Sequence, residues 1–236
     1  MERLLSVECS KPYAWPLSGA WHPANTALMV IDMQQDFLAS EGYFAAMGYS
    51  TAAAQAIVPA LCEVIATLRQ KGFQIIYTRE GHRPDMADLT PMKRQRSANM
   101  GAAIGAPGPL GQFLVRGQKG WDLIPEMSPH SGDIMLDKPG NGSFYGTDLD
   151  QVLTARGIQH LILTGVTTDV CVHSTLREAN DRGYECLLLE DCCAAGTPEL
   201  HQAAIDMTQN EGGIFGAVAN SQALLAEMAE PETTTR

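Results

Sequence analysis

Residues 27–32 read Ala27-Leu28-Met29-Val30-Ile31-Asp32, five apolar side chains in a row followed by a carboxylate. A run of strand length with no polar alternation is buried on both faces, as in the middle of a parallel sheet. Outward from it, apolar runs of this length keep alternating with helical patterns, which is the signature of βαβ units. Residues 51–71 read as a helix closed by Gly72, and residues 73–78 as the second strand. Residues 81–131 are irregular and rich in Gly and Pro; a stretch of that length inside a domain is expected to be a lid, a binding loop or an interface arm. Strands are then expected at residues 133–137, 160–164, 184–189 and 212–216. The helices expected between and after them cover residues 148–156, 168–182, 198–210 and 221–229. The expected fold is a three-layer α/β/α sandwich around a six-stranded, mostly parallel, Rossmann-like sheet. Residues 1–236 are expected to form a single domain, with 1–20 as an N-terminal arm and 230–236, polar and terminal, as a frayed tail.

The 236 residues are 45% hydrophobic, 18% charged and carry a formal net charge of −11. Length and apolar content suit one substantial core. The negative charge argues against nucleic acid or an anionic membrane surface as partner, since both reward basic faces. The one basic cluster, Lys93-Arg94-Gln95-Arg96, is short and reads as a surface or interface feature. No apolar run approaches the roughly 20 residues of a membrane span, and the first residues lack the order of a signal peptide, so a soluble cytoplasmic protein is expected. Six cysteines, at 9, 62, 171, 186, 192 and 193, need not be disulfides in a chain of this size, and no C-x-x-C pair starts a zinc site. Most are expected to be small buried hydrophobes.

Ligands of such sheets bind beyond the carboxyl ends of the strands, and three of those ends carry reactive side chains. Asp32 follows the first strand and Lys138 the third. The fourth runs into Gly165-Val166-Thr167-Thr168-Asp169-Val170-Cys171, which places Cys171 in the first turn of the next helix. There the free amides and the helix dipole, with a nearby ammonium, would lower a thiol's pKa. The same amides could hold an oxyanion, and a carboxylate could carry the proton from thiol to leaving amine. Taken singly, each residue has a plainer reading: a strand-end Asp as a cap, a Lys as a solvated surface group, a Cys as packing. What sets them apart is their shared position at one sheet edge.

The segments 26–37, Asp137-Lys138-Pro139, 164–171, 177–184 and 190–195 resemble the isochorismatase-like cysteine hydrolases, a group that includes nicotinamidases and carbamoylsarcosine, ureidoacrylate and biuret hydrolases. The resemblance spans residues 21–220. It implies Asp32 as general base and acid, Lys138 as its orienting partner, and Cys171 as the nucleophile that forms a thioester. It also implies a cis peptide between Val166 and Thr167 and an oxyanion hole from the Thr167 and Cys171 amides. Cys192, Cys193 and Cys186 are then packing thiols. Nicotinamidases of this fold bind a metal through Asp-x-His and a further His; here His82 stands alone, so no metal and no other cofactor is expected.

Residues 13–16, 78–85, 138–144 and 211–216 resemble the biuret hydrolases most closely. Two positions depart from that pattern: Asn141 replaces a lysine and Glu211 a glutamine, both at expected pocket positions. A longer, N–H-rich polyurea suits both changes, with Phe37 packed on the flat substrate and Asn141 and Glu211 at its ends. The expected reaction is release of ammonia from a small ureide, triuret (to carboxybiuret) ahead of biuret (to allophanate). Ureidoacrylate or carbamoylsarcosine hydrolysis is the alternative enzyme, and a catalytically silent binding module the alternative class. The family resemblance further implies a homo-oligomer, a tetramer first.

Overall fold

The structure is a computed structural model that describes residues 5–229; the expected frayed tail, 230–236, lies outside them. Its strands are β1 (Thr26–Ile31), β2 (Gln74–Glu80), the short hairpin β3 (Pro107–Gly108) and β4 (Gly111–Gln112), then β5 (Ile134–Lys138), β6 (His160–Val166), β7 (Glu185–Ala194) and β8 (Ala217–Ala219). Six of them form one sheet in the order β5-β2-β1-β6-β7-β8, and every neighbouring pair is parallel. All six residues of β1 and all seven of β6 are buried, as the unbroken apolar runs require. The chain adds strands to one side of β1 and then, from β6 onward, to the other. The crevice between the carboxyl ends of β1 and β6 is therefore the topological switch point of the sheet.

Helices α1 (Gln35–Leu38), α2 (Tyr43–Ala46), α3 (Ala52–Ala56) and α4 (Val58–Gln70) follow β1. The helix expected over residues 51–71 thus breaks at Ile57. Its span Ala52–Gln70 is, by length and composition, apolar enough to cross a membrane, contrary to the expectation that no run comes near that. Here Leu61, Val64, Ile65 and Leu68 of α4 are buried, with α4 packed against β2 and α9 (Ser221–Met228). Gly72, at φ +85°, closes α4 as expected.

The segment 81–131 is less irregular than its Gly and Pro content implies. It contains α5 (Pro91–Asn99), capped by the Thr90 hydroxyl accepting from the Lys93 N–H, with Pro91 in the first turn. Only Ser97 of this helix is fully buried, so no apolar stripe announces it. Helices α6 (Leu149–Ala155), α7 (His173–Asp181) and α8 (Pro198–Gly213) complete the layers. The last strand is Ala217–Ala219 rather than 212–216. Glu211, Gly212, Gly213 and Gly216 all have positive φ, which extended pairing does not accept. Strand β7 runs to Ala194, so Cys192 and Cys193 lie within it, buried.

The described part of the N-terminal arm, from residue 5, is docked onto the sheet. Lys11 and Val218 exchange backbone hydrogen bonds of 2.9 and 2.8 Å, and Trp15 and Trp21 are buried with ring centroids 5.7 Å apart.

Candidate active site

Asp32 is the first residue past β1, at φ +52°, a left-handed turn that ends the strand and turns the chain into α1. Its N–H bonds to the Thr78 carbonyl at 3.2 Å, and the Thr78 hydroxyl donates to its Oδ1 at 2.7 Å. Lys138, the last residue of β5, reaches across β2 and places Nζ 2.7 Å from Asp32 Oδ2. The ammonium also donates to the carbonyls of Gly140 and Asn141 at 2.9 and 2.8 Å. Both side chains are 0% exposed, so each charge depends on the other.

The pairing of β6 with β1 ends at Gly165, opposite Ile31, where φ is +107° and an added Cβ would collide with the Ile31 carbonyl. Glycine there lets the two central strands close up. After it the Val166–Thr167 peptide is cis, and a π-helical turn, Thr168–Val172, leads into α7. Cys171 sits in that turn, 3% exposed, with its thiol within 4.8 Å of both the Asp32 and Glu80 carboxylates. The structure thus brings Asp32, Lys138 and Cys171 together from residues far apart in the chain.

Two members of the cluster were not singled out from sequence. Glu80, the last residue of β2 and the register partner of Lys138, accepts the Cys171 thiol on Oε2 at 3.3 Å and lies 3.4 Å from Lys138 Nζ. Lys93 of α5 donates to Glu80 Oε1 at 2.6 Å and to the Pro139 carbonyl at 2.7 Å. The cluster Lys93-Arg94-Gln95-Arg96, expected on the surface, therefore sends its single ammonium group inward. A carboxylate closing a buried strand was the available signal for Glu80; Lys93 gave none. Gln34, also buried, fixes Glu80 from behind: its Oε1 accepts the Glu80 N–H at 2.7 Å and its Nε2 donates to the Glu80 and Trp121 carbonyls at 3.0 and 2.8 Å.

The electrostatics differ from the sequence expectation at one point. Burial pushes the Cys171 thiol well above its ordinary range; Lys138 pulls it down, but the charges of Asp32 and Glu80 add to the rise. Burial and the two carboxylates thus favour the thiol over the thiolate at rest, consistent with its hydrogen bond to Glu80. Burial also raises Asp32 against the pull of Lys138, which suits it to take a proton. Glu80 is opposed by burial yet drawn down to about 2 by Lys138 and Lys93, so it stays ionised.

A cavity of about 570 Å³ opens onto the cluster. Phe37, Asn141, Thr167 and Cys171 line it, together with Glu80 and Lys93. Glu211 does not: it is exposed, at φ +51°, where the backbone of α8 leaves helical geometry. That kink carries its side chain away from the position expected for it. His82 is buried and pairs through Nδ1 with Asp88 at 3.2 Å. Among the described residues the metal-capable grouping is Asp32, Glu80 and Cys171, and the Lys138 ammonium already stands between its carboxylates.

The Isochorismatase domain family matches residues 26–222. A relative named ureidoacrylate amidohydrolase RutB, from Pantoea ananatis, is 33% identical over 194 residues, covering 81% of this chain and 78% of that one. A cysteine hydrolase from Pseudomonas syringae pv. phaseolicola superposes with a TM-score of 0.76 at 26% identity, covering 97% and 98% of the two chains. N-carbamoylsarcosine amidase from Thermoplasma acidophilum does so at 0.64 and 29%, covering 84% and 96%. The chain belongs to the isochorismatase family. The relative from Pantoea ananatis is named a ureidoacrylate amidohydrolase, and neither it nor these two solved structures carries the name of a biuret or triuret hydrolase.

Proposed function

We propose that the protein is a cysteine amidohydrolase that releases ammonia from the terminal carbamoyl group of a small ureide, triuret ahead of biuret. The observation that carries this reading is the buried Asp32–Lys138 pair beside the Cys171 thiol at the floor of the cavity. Asp32 takes the thiol proton as sulfur bonds to the carbonyl carbon, and the carbonyl π pair moves to oxygen, held by the Thr167 and Cys171 amides. The pair then returns, the C–N bond breaks, and Asp32 hands its proton to the departing nitrogen. Water gives one proton to Asp32 as its oxygen bonds to the thioester carbon; the C–S bond then breaks, Asp32 returns that proton to the sulfur, and the product leaves as a carboxylic acid that ionises. Lys138 keeps Asp32 oriented and offsets the charge on sulfur. These steps require no metal or cofactor.

Polyureas are neutral, flat and rich in N–H donors. The cavity offers Phe37 for the flat face, Asn141, and the carboxylates of Glu80, Asp88 and Asp169 as acceptors. Glu211 has no part in the proposal. Ureidoacrylate is the second reading, favoured by the name of the relative; Arg96 on the cavity wall would then meet its carboxylate. Assembly as a homotetramer is proposed on the family resemblance alone. Ammonia release by the purified protein from triuret, biuret, ureidoacrylate and nicotinamide at matched concentration decides among these. Turnover of ureidoacrylate with neither polyurea touched would reverse the order, and no turnover of any ureide would end the reading.

A further inference from the structure

We propose that Glu80 is a fourth catalytic side chain, which holds the Cys171 thiol at rest and then the leaving nitrogen, and that Lys93 is its positioning residue. This rests on the amidohydrolase reading and specifies which leaving group that site takes. In the resting site the thiol donates to Glu80 Oε2 at 3.3 Å. Attack transfers that hydrogen to Asp32 and leaves Oε2 with a free acceptor position beside the sulfur. The scissile nitrogen is one bond from the carbon that sulfur attacks, so its N–H is the donor best placed to fill the position. Glu80 thereby exchanges S–H for N–H and turns the nitrogen's lone pair toward the protonated Asp32. A terminal –NH₂ has a hydrogen for this exchange; an N,N-disubstituted leaving amine has none.

Glu80 can do this only if it stays charged and still. Its Oε1 is taken by Lys93 at 2.6 Å, its Oε2 lies 3.4 Å from Lys138, and its backbone is clamped by Gln34. Lys93 comes from α5, inside the segment between β2 and β5, and also caps the Pro139 carbonyl next to Lys138. One ammonium thus ties α5 to both neighbouring strand ends. The ionisable groups facing the sulfur are Glu80, Asp32 and Lys138, with the Tyr43 phenol nearby.

Two readouts separate this role from a structural one: turnover, and the pH profile of Cys171 alkylation by iodoacetamide, which needs no substrate. In Glu80→Gln a negative charge leaves the thiol, so the alkylation profile shifts to lower pH while kcat falls about a hundredfold, as for loss of one preorganised polar contact. A thiol made more reactive in an enzyme made slower is not what a packing defect produces. Lys93→Met leaves Glu80 less compensated, so its profile shifts upward and kcat falls about tenfold; Lys93→Arg restores both. If Glu80→Gln does not fold, the half-buried Lys93 variants carry the test. A wild-type kcat with an unshifted profile in Glu80→Gln, or failing that in Lys93→Met, overturns the proposal. If the wild type turns over no ureide, the proposed function fails, while the alkylation shifts still judge the Glu80–Lys93 arrangement. Turnover of an N,N-dimethyl terminal amide at the rate of the primary amide overturns the leaving-group claim.

Discussion

Lys138→Met keeps the length of the side chain and removes its ammonium. In the native site that group lies 2.7 Å from Asp32 and 3.4 Å from Glu80 and donates to two carbonyls. At an effective dielectric of about 20 these two charge contacts are worth about 6 and about 5 kcal/mol of gross attraction. Burying each ion costs several kcal/mol, so the intact pair gains little net stability. The cost appears when one partner is removed. Asp32 would keep the Thr78 hydroxyl alone, and the Gly140 and Asn141 carbonyls would lose their donor. We expect a loss of about 3–5 kcal/mol. Adding Asp32→Asn removes the stranded charge, so the double variant should be more stable than Lys138→Met by about 1–3 kcal/mol. The sign with pH follows from Asp32, whose carboxyl burial already raises and which would rise further without the lysine. A group raised on folding stabilises below its unfolded pKa and loses that contribution as pH climbs through its folded one. The deficit of Lys138→Met should therefore be smallest in mild acid and grow toward neutrality. Urea unfolding of the wild type, both single variants and the double, followed by tryptophan fluorescence at both pH values, measures this. A single variant within about 1 kcal/mol of wild type, or a double variant no more stable than it, would refute the reasoning.

Cys171→Ser should reduce ammonia release to background, and acid-quenched wild type should carry an acyl adduct on Cys171 by peptide mass spectrometry; an adduct elsewhere would displace it as nucleophile. Gly165→Ala should cost more than about 3 kcal/mol, because its φ is +107° and the new methyl meets the Ile31 backbone; near-native melting would contradict the close approach of β1 and β6. Gln34→Leu leaves the Glu80 N–H and the Glu80 and Trp121 carbonyls without their partner, so about 2–3 kcal/mol and a lower kcat are expected, checked by thermal melting and steady-state rates. Glu80 is held down to about 2 by Lys138 and Lys93 despite burial. Its contribution is present above the ordinary value of 4.5 and lost as pH falls toward about 2. Acid unfolding of Glu80→Gln should be flatter across that window than that of the wild type.

The sheet was legible because burial on both faces leaves a local mark, an unbroken apolar run, at each of its longer strands. Helix α5 leaves none, since it is polar nearly all round, and β8 lies beyond the expected 212–216 because the positive-φ glycines there form a turn rather than a strand. The same division holds in the candidate site. Asp32, Lys138 and Cys171 could be read from sequence because each ends a recognisable strand or begins the turn after it. The state of the thiol could not, because it depends on burial and on a second carboxylate, Glu80, that only the fold brings to the sulfur.

By itself, then, the sequence determined the parallel class of the sheet, five of its six strands, and three of the reactive side chains at its carboxyl edge: Asp32, Lys138 and Cys171. The tertiary structure alone decided which of them meet. Cys171 and Glu80 are 91 residues apart and Lys138 and Glu80 are 58. Their contact follows from strand order and register, with β2 lying between β1 and β5. Whether Glu211 reached the cavity depended likewise on a backbone kink rather than on its neighbours in sequence. Hydrophobic periodicity is a property of consecutive residues, whereas the charge balance around a buried thiol is a sum over whatever the fold brings within a few ångströms.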